Sequence, residues 1–248
     1  MIRPGRYMLL GIKVSPVDYE YVTREVIKNA KHKKHFSVAP VASHPIVLSI
    51  SDQSLRKILN SFQLIIPDSQ YVKKALDFIY GVKLRERVYG PELFLNICRN
   101  AEKEKIKIFL MGNEIRFVKN TLNKLYPALI VDGYDLKGKI MSEIKINDLQ
   151  LKSNDRISKI IFIGIGSPNQ YFLMEKLNKV HYPIIGVGAA FDFVSGAKPQ
   201  APLWMQKKGL EWLFRLKTEP KRLWKRYLIY GPFFIILVIY QKIILSLK

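Results

Sequence analysis

Four short runs that are apolar at nearly every position constrain this chain more than any other feature: Leu64-Ile65-Ile66-Pro67, residues 106–111, residues 159–165 and residues 184–187. A strand with one wet face alternates apolar and polar residues, whereas a strand covered on both faces reads as a continuous apolar run. Between the runs lie segments with helical spacing of their apolar residues, at 71–80, 92–103, 115–125 and 169–179. Strand and helix in alternation predict a mainly parallel sheet with helices on both faces, an α/β fold of Rossmann-like type. Residues 8–14 are expected as an earlier buried strand, leading through Ser15-Pro16-Val17-Asp18 into a helix to about residue 30. Residues 35–38 and 129–131 read as short strands, 45–62 as one helix, 85–92 as a loop broken by Gly90 and Pro91, and 135–155 as polar and irregular.

In such sheets ligands gather beyond the carboxyl ends of the strands. That rule places Asp68, Gly112, Gly166 and Gly188 along one edge. Gly164-Ile165-Gly166-Ser167-Pro168 follows a strand and opens a helix, so its backbone N–H groups either face a phosphate or serve a tight turn. It is not the full dinucleotide fingerprint. Asp68 has two readings, a helix N-cap before Ser69 or a functional carboxylate. Asp192, between Phe191 and Phe193 and near Gly188 and Gly196, is a candidate partner for a ribose hydroxyl or for nearby backbone. The histidines His32, His35, His44 and His181 make no convincing ligand set, and no Asp-x-Asp diphosphate motif is present. Neither a metal nor a cofactor is expected. The single cysteine, Cys98, excludes an internal disulfide and reads as a small buried apolar residue.

A formal charge of +21 on 248 residues calls for a polyanionic neighbour. Residues 197–248 hold eleven Lys and Arg against two Glu, a net +9, set among Trp, Phe, Tyr, Leu and Ile. No nucleic-acid-binding motif accompanies the charge, so an anionic membrane surface is the expected partner. The fourteen residues from Tyr227 to Tyr240 are uncharged, and residues 243–247 beyond Gln241-Lys242 bring the stretch to the ~20 that span a bilayer, so a span and packing onto the core or a partner stand as alternatives to an interfacial helix. Ahead of this stretch Lys217, Lys221, Arg222, Lys225 and Arg226 interleave with Leu223, Trp224 and Tyr227, the pattern of a helix lying in the headgroup region. Residues 1–196 are therefore expected as the core and 197–248 as a membrane-binding appendage. The apolar run from Met8 to Ile12 is too short for a signal peptide, so the chain is expected to stay unexported and to meet the membrane peripherally.

Four segments together carry a family resemblance: Gly186-Val-Gly-Ala-Ala-Phe-Asp-Phe-Val-Ser-Gly196, Ala201-Pro-Leu-Trp-Met-Gln206, Gly209-Leu-Glu-Trp-Leu-Phe-Arg215 and Glu219-Pro-Lys-Arg-Leu-Trp-Lys-Arg-Tyr227. They closely resemble the signature of the WecG/TagA/CpsF bacterial glycosyltransferases, glycosyltransferase family 26. Weaker matches at Pro67-Asp68, Glu86-Arg87-Val88-Tyr89-Gly90, Phe109-Leu110-Met111-Gly112 and Gly164-Ile-Gly-Ser-Pro-Asn-Gln170 extend it, in the family's order. The resemblance implies a metal-independent, inverting transfer from a UDP-sugar to a polyprenyl-diphosphate-linked saccharide at the cytoplasmic membrane face. It also assigns roles: Asp68 as base, Arg87 and Gln170 in the active site, and Arg215 and Arg222 on the donor diphosphate, with a further cation at Lys225 or Arg226. The alternative is a member that binds nucleotide sugar without turnover.

One departure from the family pattern concerns its Thr-x-Asn after an early strand. The matching positions here are Ala39 and Val41. At that edge of the sheet two hydrogen-bonding groups toward the sugar have become apolar, which implies a donor other than the N-acetylmannosamine type or a loss of turnover.

Overall fold

The computed structural model describes residues 5–137 and 158–247. Most of the irregular stretch expected at 135–155 lies outside the described residues. The chain opens with a two-stranded antiparallel hairpin, β1 Tyr7–Leu9 and β2 Ile12–Val14. The single strand expected at 8–14 is thus two, because Leu10 and Gly11 both take positive φ (49° and 88°) and form a two-residue turn suited to the strand twist. After α1 (Tyr19–Lys31), whose first turn is capped by Asp18, come β3 (Phe36–Val41), α2 (Ser43–Ser51), α3 (Gln53–Ser61) and β4 (Leu64–Pro67). The single helix expected at 45–62 breaks at Asp52, which is extended (φ −98°, ψ 95°) and caps α3 by accepting from the Leu55 N–H at 2.9 Å.

The chain continues through α4 (Gln70–Tyr80), α5 (Gly90–Lys103), β5 (Lys107–Gly112), α6 (Ile115–Leu125), β6 (Val131–Asp135), β7 (Lys159–Gly164), α7 (Asn169–Lys176) and β8 (Pro183–Gly186). Strands β3 to β8 form one six-stranded sheet in the order β4-β3-β8-β7-β5-β6, every neighbouring pair parallel. The continuous apolar runs follow from this arrangement, since each strand feeds a core on both faces. Ile161 and Ile163 of β7 pack on one side with Ala39, Val41 and Met111, and Ile160 and Phe162 on the other with Val38, Ile108 and Phe94. The chain runs outward from β3 to β4 and then crosses to the opposite half of the sheet, so the order reverses around β3 and β8. That is the switch point at which α/β sheets leave a crevice.

The last segment begins with α8 (Ala190–Val194), α9 (Leu203–Lys208), α10 (Glu211–Thr218) and α11 (Pro220–Trp224). A π-helical turn, Lys225–Ile229, then leads into α12 (Tyr230–Ser246). The widened turn lies just ahead of Pro232, which has no N–H to donate and whose ring crowds the carbonyl four residues back. Residues 220–246 make one 27-residue helix, long and apolar enough to cross a membrane by length and composition. One face of α12 is nevertheless docked on the protein. Phe234 and Val238 enter the core, Gln241 accepts from the Leu10 N–H (2.8 Å) and donates to the Met8 carbonyl (2.6 Å), and Lys242 donates to the Ile79 carbonyl (3.0 Å). The opposite face exposes Phe233, Ile236, Ile239, Tyr240 and Ile243.

Candidate active site

The carboxyl edges of β3, β4, β7 and β8 surround a cavity of about 470 Å³, closed on the far side by α10, α11 and the π-helical turn. Asp68 stands on its wall, immediately after β4. Ser69, not Asp68, caps α4: its hydroxyl accepts from the Val72 N–H. Asp68 is thereby left for other work, and one of its oxygens accepts from the Gly90 N–H at 2.9 Å. Burial raises its pKa above the ordinary aspartate value, the Arg87 charge and the Gly90 N–H oppose that rise, Glu211 adds to it, and Arg226 opposes it.

Arg87 reaches the same wall from the loop before α5. Its guanidinium lies over the Tyr89 ring, 4.2 Å from the centroid, and donates to Oε2 of Glu211 from α10. Oε1 of Glu211 accepts from the Tyr89 hydroxyl at 3.2 Å, and Gln200 donates to that hydroxyl at 3.3 Å. Glu211 is only 9% exposed and both its oxygens are engaged. Gln170, on the first turn of α7, is 2% exposed; its Oε1 accepts from the Gly188 N–H at 2.9 Å, fixing the turn after β8. Gly188 and Gly166 need their glycine identity, since both line the cavity with φ of +59° and +79°.

Three residues expected at the site do not line it. Ala39 and Val41 are fully buried with their side chains in the core, whereas Pro40 and Ala42 between and beside them line the cavity. The pleat of β3 explains the difference, because neighbouring side chains point to opposite faces. Gly112 also serves packing. A Cβ there would stand 2.7 Å from the Phe191 ring, and one at Gly164 would overlap the same ring more severely, so the two glycines make a slot for Phe191 under the cavity floor.

The cations separate into two classes. Arg222 is held bidentate by Glu219, both contacts at 2.7 Å, and Glu219 also meets Lys198 (3.2 Å), which meets Asp192 (2.8 Å). The Arg222 hydrogen bonds, despite partial burial, hold the Glu219 pKa down at about 2. Arg215 and Arg226 also line the cavity, and among the described residues neither has a carboxylate within ion-pair distance. Arg215 stacks over Phe193 at 5.7 Å. Burial pushes the Arg226 pKa below the usual arginine value; Tyr227 opposes that shift and Arg215 reinforces it. Lys225, the other position matching the family's further cation, is exposed beside Trp224.

Asp68, Arg87, Gln170, Gly164, Gly166, Gly188, Asp192, Arg215 and Arg222 thus meet around one cavity from six separate stretches of chain. Sequence reasoning missed Glu211, Tyr89 and Lys198 as members of that set, and Glu219 as the partner that holds Arg222 and Lys198 from behind it. All four lie inside motifs or basic segments visible in the sequence, but pairings across as many as 124 residues leave no spacing signal. Among the described residues no group of three or more His, Cys, Asp or Glu side chains is placed to hold a metal.

The chain is 29% identical over 177 residues (69% of this chain, 66% of the relative) to a protein of Bacillus spizizenii named N-acetylglucosaminyldiphosphoundecaprenol N-acetyl-beta-D-mannosaminyltransferase. It is 29% identical over 186 residues (73% of this chain, 70% of the relative) to the protein of the same name from Bacillus subtilis. The model of the glycosyl transferase WecG/TagA/CpsF family matches residues 7–247, nearly the whole described chain, and the protein belongs to that family.

Proposed function

We propose that the protein transfers a sugar from a UDP-sugar to a polyprenyl-diphosphate-linked saccharide in bacterial surface-glycan synthesis, with inversion and with Asp68 as the base. The observation that carries this reading is the Asp68 carboxylate, which burial pushes above the ordinary aspartate range, on the wall of a cavity that also holds Arg215 and Arg226, neither with a carboxylate within ion-pair distance among the described residues. A base works best when its pKa lies near the working pH, and burial moves Asp68 in that direction. The acceptor hydroxyl oxygen attacks the anomeric carbon while Asp68 takes its proton. The bond from that carbon to the diphosphate oxygen breaks on the opposite face, and UDP leaves with the bonding electrons. Arg215 and Arg226 supply fixed positive charge where negative charge develops on the leaving group. The glycine-rich turn from Gly164 to Ser167 and the carboxylate of Asp192 offer a seat for the nucleotide. Arg222 shapes that seat through Glu219 and Lys198.

The acceptor is a lipid, and the outer face of α12 gives access to it. Trp204, Trp224, Leu228, Ile236, Tyr240 and Ile243 are exposed among Lys207, Lys208, Lys217, Lys221 and Lys225. Hydrophobic insertion together with attraction to anionic headgroups binds such a surface to a bilayer. Docking of α12 through Gln241 and Lys242 favours a helix lying along the membrane over one crossing it.

The test incubates the full chain with UDP-N-acetylmannosamine, UDP-glucose or UDP-galactose and lipid-linked N-acetylglucosamine in anionic vesicles, measuring UDP release and the anomeric configuration of the product. Inverted product with any donor is the expected result. Nucleotide-sugar binding without transfer from any of the three would support a non-catalytic role instead.

A further inference from the structure

We propose that Glu211 is a positioning residue of the transfer reaction, holding Arg87 so that Asp68 remains a free base. The inference rests on the reading of Asp68 as base and adds a residue to which that reading gives no part. The loop Arg87-Val88-Tyr89-Gly90 is shared between two carboxylates: Gly90 donates to Asp68, while Arg87 and Tyr89 donate to Glu211. Arg87 is close enough to Asp68 to act on its charge, yet the only carboxylate within ion-pair distance of its guanidinium, among the described residues, is Glu211. The Tyr89 ring beneath and Oε2 of Glu211 beside it hold the guanidinium, while Oε1 of the same carboxylate accepts from the Tyr89 hydroxyl and ties the ring in place.

Without the Glu211 charge the balance changes. Removing one partner of a buried ion pair leaves the other charge uncompensated, and the other carboxylate acting on Arg87 is Asp68. The groups facing Asp68 are Arg87 and Tyr89 from the loop, Glu211 from α10, Arg226 from the π-helical turn and Tyr171 from α7. Glu211 is the only carboxylate among them besides Asp68 itself. Its removal leaves Asp68 facing two cations. The aspartate becomes easier to ionise and a weaker base, and its proton acceptor oxygen is drawn toward Arg87. A gain in ionisation at low pH and a loss of rate at high pH are therefore expected together. A residue that merely held α10 in place would not produce that combination.

The experiment compares the wild-type full chain with Glu211→Gln, Arg87→Met, the double variant and Asp68→Asn, on anionic vesicles with lipid-linked acceptor, across pH 5 to 9. Glu211→Gln should lower kcat by roughly 10-fold or more, within the range for disturbing a positioned base, with KM for the donor changed by less than about 3-fold on the same grounds. It should also move the acid limb of the kcat profile to lower pH. In the Arg87→Met background the same change should add less than about a 2-fold loss, because the group it positions is gone. If Glu211→Gln does not fold, Glu211→Asp keeps the charge but withdraws it by one methylene, and must show the kcat loss in smaller measure. An unmoved acid limb with full kcat, or losses that multiply in the double variant, would overturn the proposal. Those results speak against Glu211 alone when Asp68→Asn is inactive; an Asp68→Asn variant with wild-type turnover would instead remove the base reading itself.

Discussion

Restoring the family's polar pair by Ala39→Thr with Val41→Asn should cost stability and leave sugar choice unchanged. Both side chains are 0% exposed and belong to the core face of β3, while Pro40 and Ala42 line the cavity. Replacing Val41 forfeits the burial of a valine, ~1.5–3 kcal/mol, and encloses an amide in apolar surroundings, where an unsatisfied group costs ~1–3 kcal/mol. Enlarging Ala39 in a packed core adds ~1–3 kcal/mol. A total of at least ~3 kcal/mol is expected even with some relaxation. In a chain of this size each kcal/mol moves Tm by ~2–4 °C, so the double variant should melt at least ~6 °C below wild type. Thermal unfolding by circular dichroism gives the first measurement, and competition among UDP-N-acetylmannosamine, UDP-glucose and UDP-galactose the second. A variant that melts with wild type and turns toward UDP-N-acetylmannosamine would show that these side chains do reach the sugar, contrary to the geometry of β3.

Arg226→Ala should weaken donor turnover more than Arg222→Ala does, because Arg226 has no carboxylate partner among the described residues while Arg222 is occupied by Glu219; kcat/KM for the two variants, with vesicle flotation as control, gives the comparison, and equal losses would count against it. His44 packs edge-on against Tyr230 at 4.9 Å with Nδ1 buried and without a partner, and burial, with Arg226 nearby, pushes its pKa down to about 4. A histidine held below its ordinary value stabilises the fold fully above about pH 6.5, and that stability is lost as pH falls toward 4. His44→Phe keeps the ring contact and removes the titration, so its Tm should exceed wild type and vary less between pH 6.5 and 4; an unchanged acid dependence would place the titration elsewhere.

The buried strands were legible because each is apolar on both faces, which only a covered parallel sheet requires. The run at 64–67 and the helix at 115–125 stand where the pattern puts them. The hairpin at β1 and β2 was hidden by Leu10, a residue that rarely takes the positive φ (49°) it has there. The break at Asp52 was hidden because apolar spacing continues across it, although the aspartate itself is a capping signal. At the site, glycines and carboxylates at strand ends pointed to the edge of the sheet where the cavity lies. Which side chains face the cavity depended on a one-residue alternation in β3 that motif matching does not resolve, and so Ala39 and Val41 were misplaced. The partition of the arginines could not be foreseen either, since Glu211 and Glu219 select their partners through tertiary packing.

The most direct test of the account is single-turnover transfer by Asp68→Asn. Asparagine is nearly isosteric, and its side-chain carbonyl can keep the hydrogen bond from the Gly90 N–H. Because burial makes the charged carboxylate costly at this position, the variant should fold and melt at or above the wild-type temperature at neutral pH, and bind UDP-sugar as wild type does. Sugar transfer to the polyprenyl-diphosphate-linked acceptor should fall by ~10²-fold or more, the range for losing a positioned base. Turnover within a few-fold of wild type in a folded, nucleotide-binding Asp68→Asn protein would contradict the account.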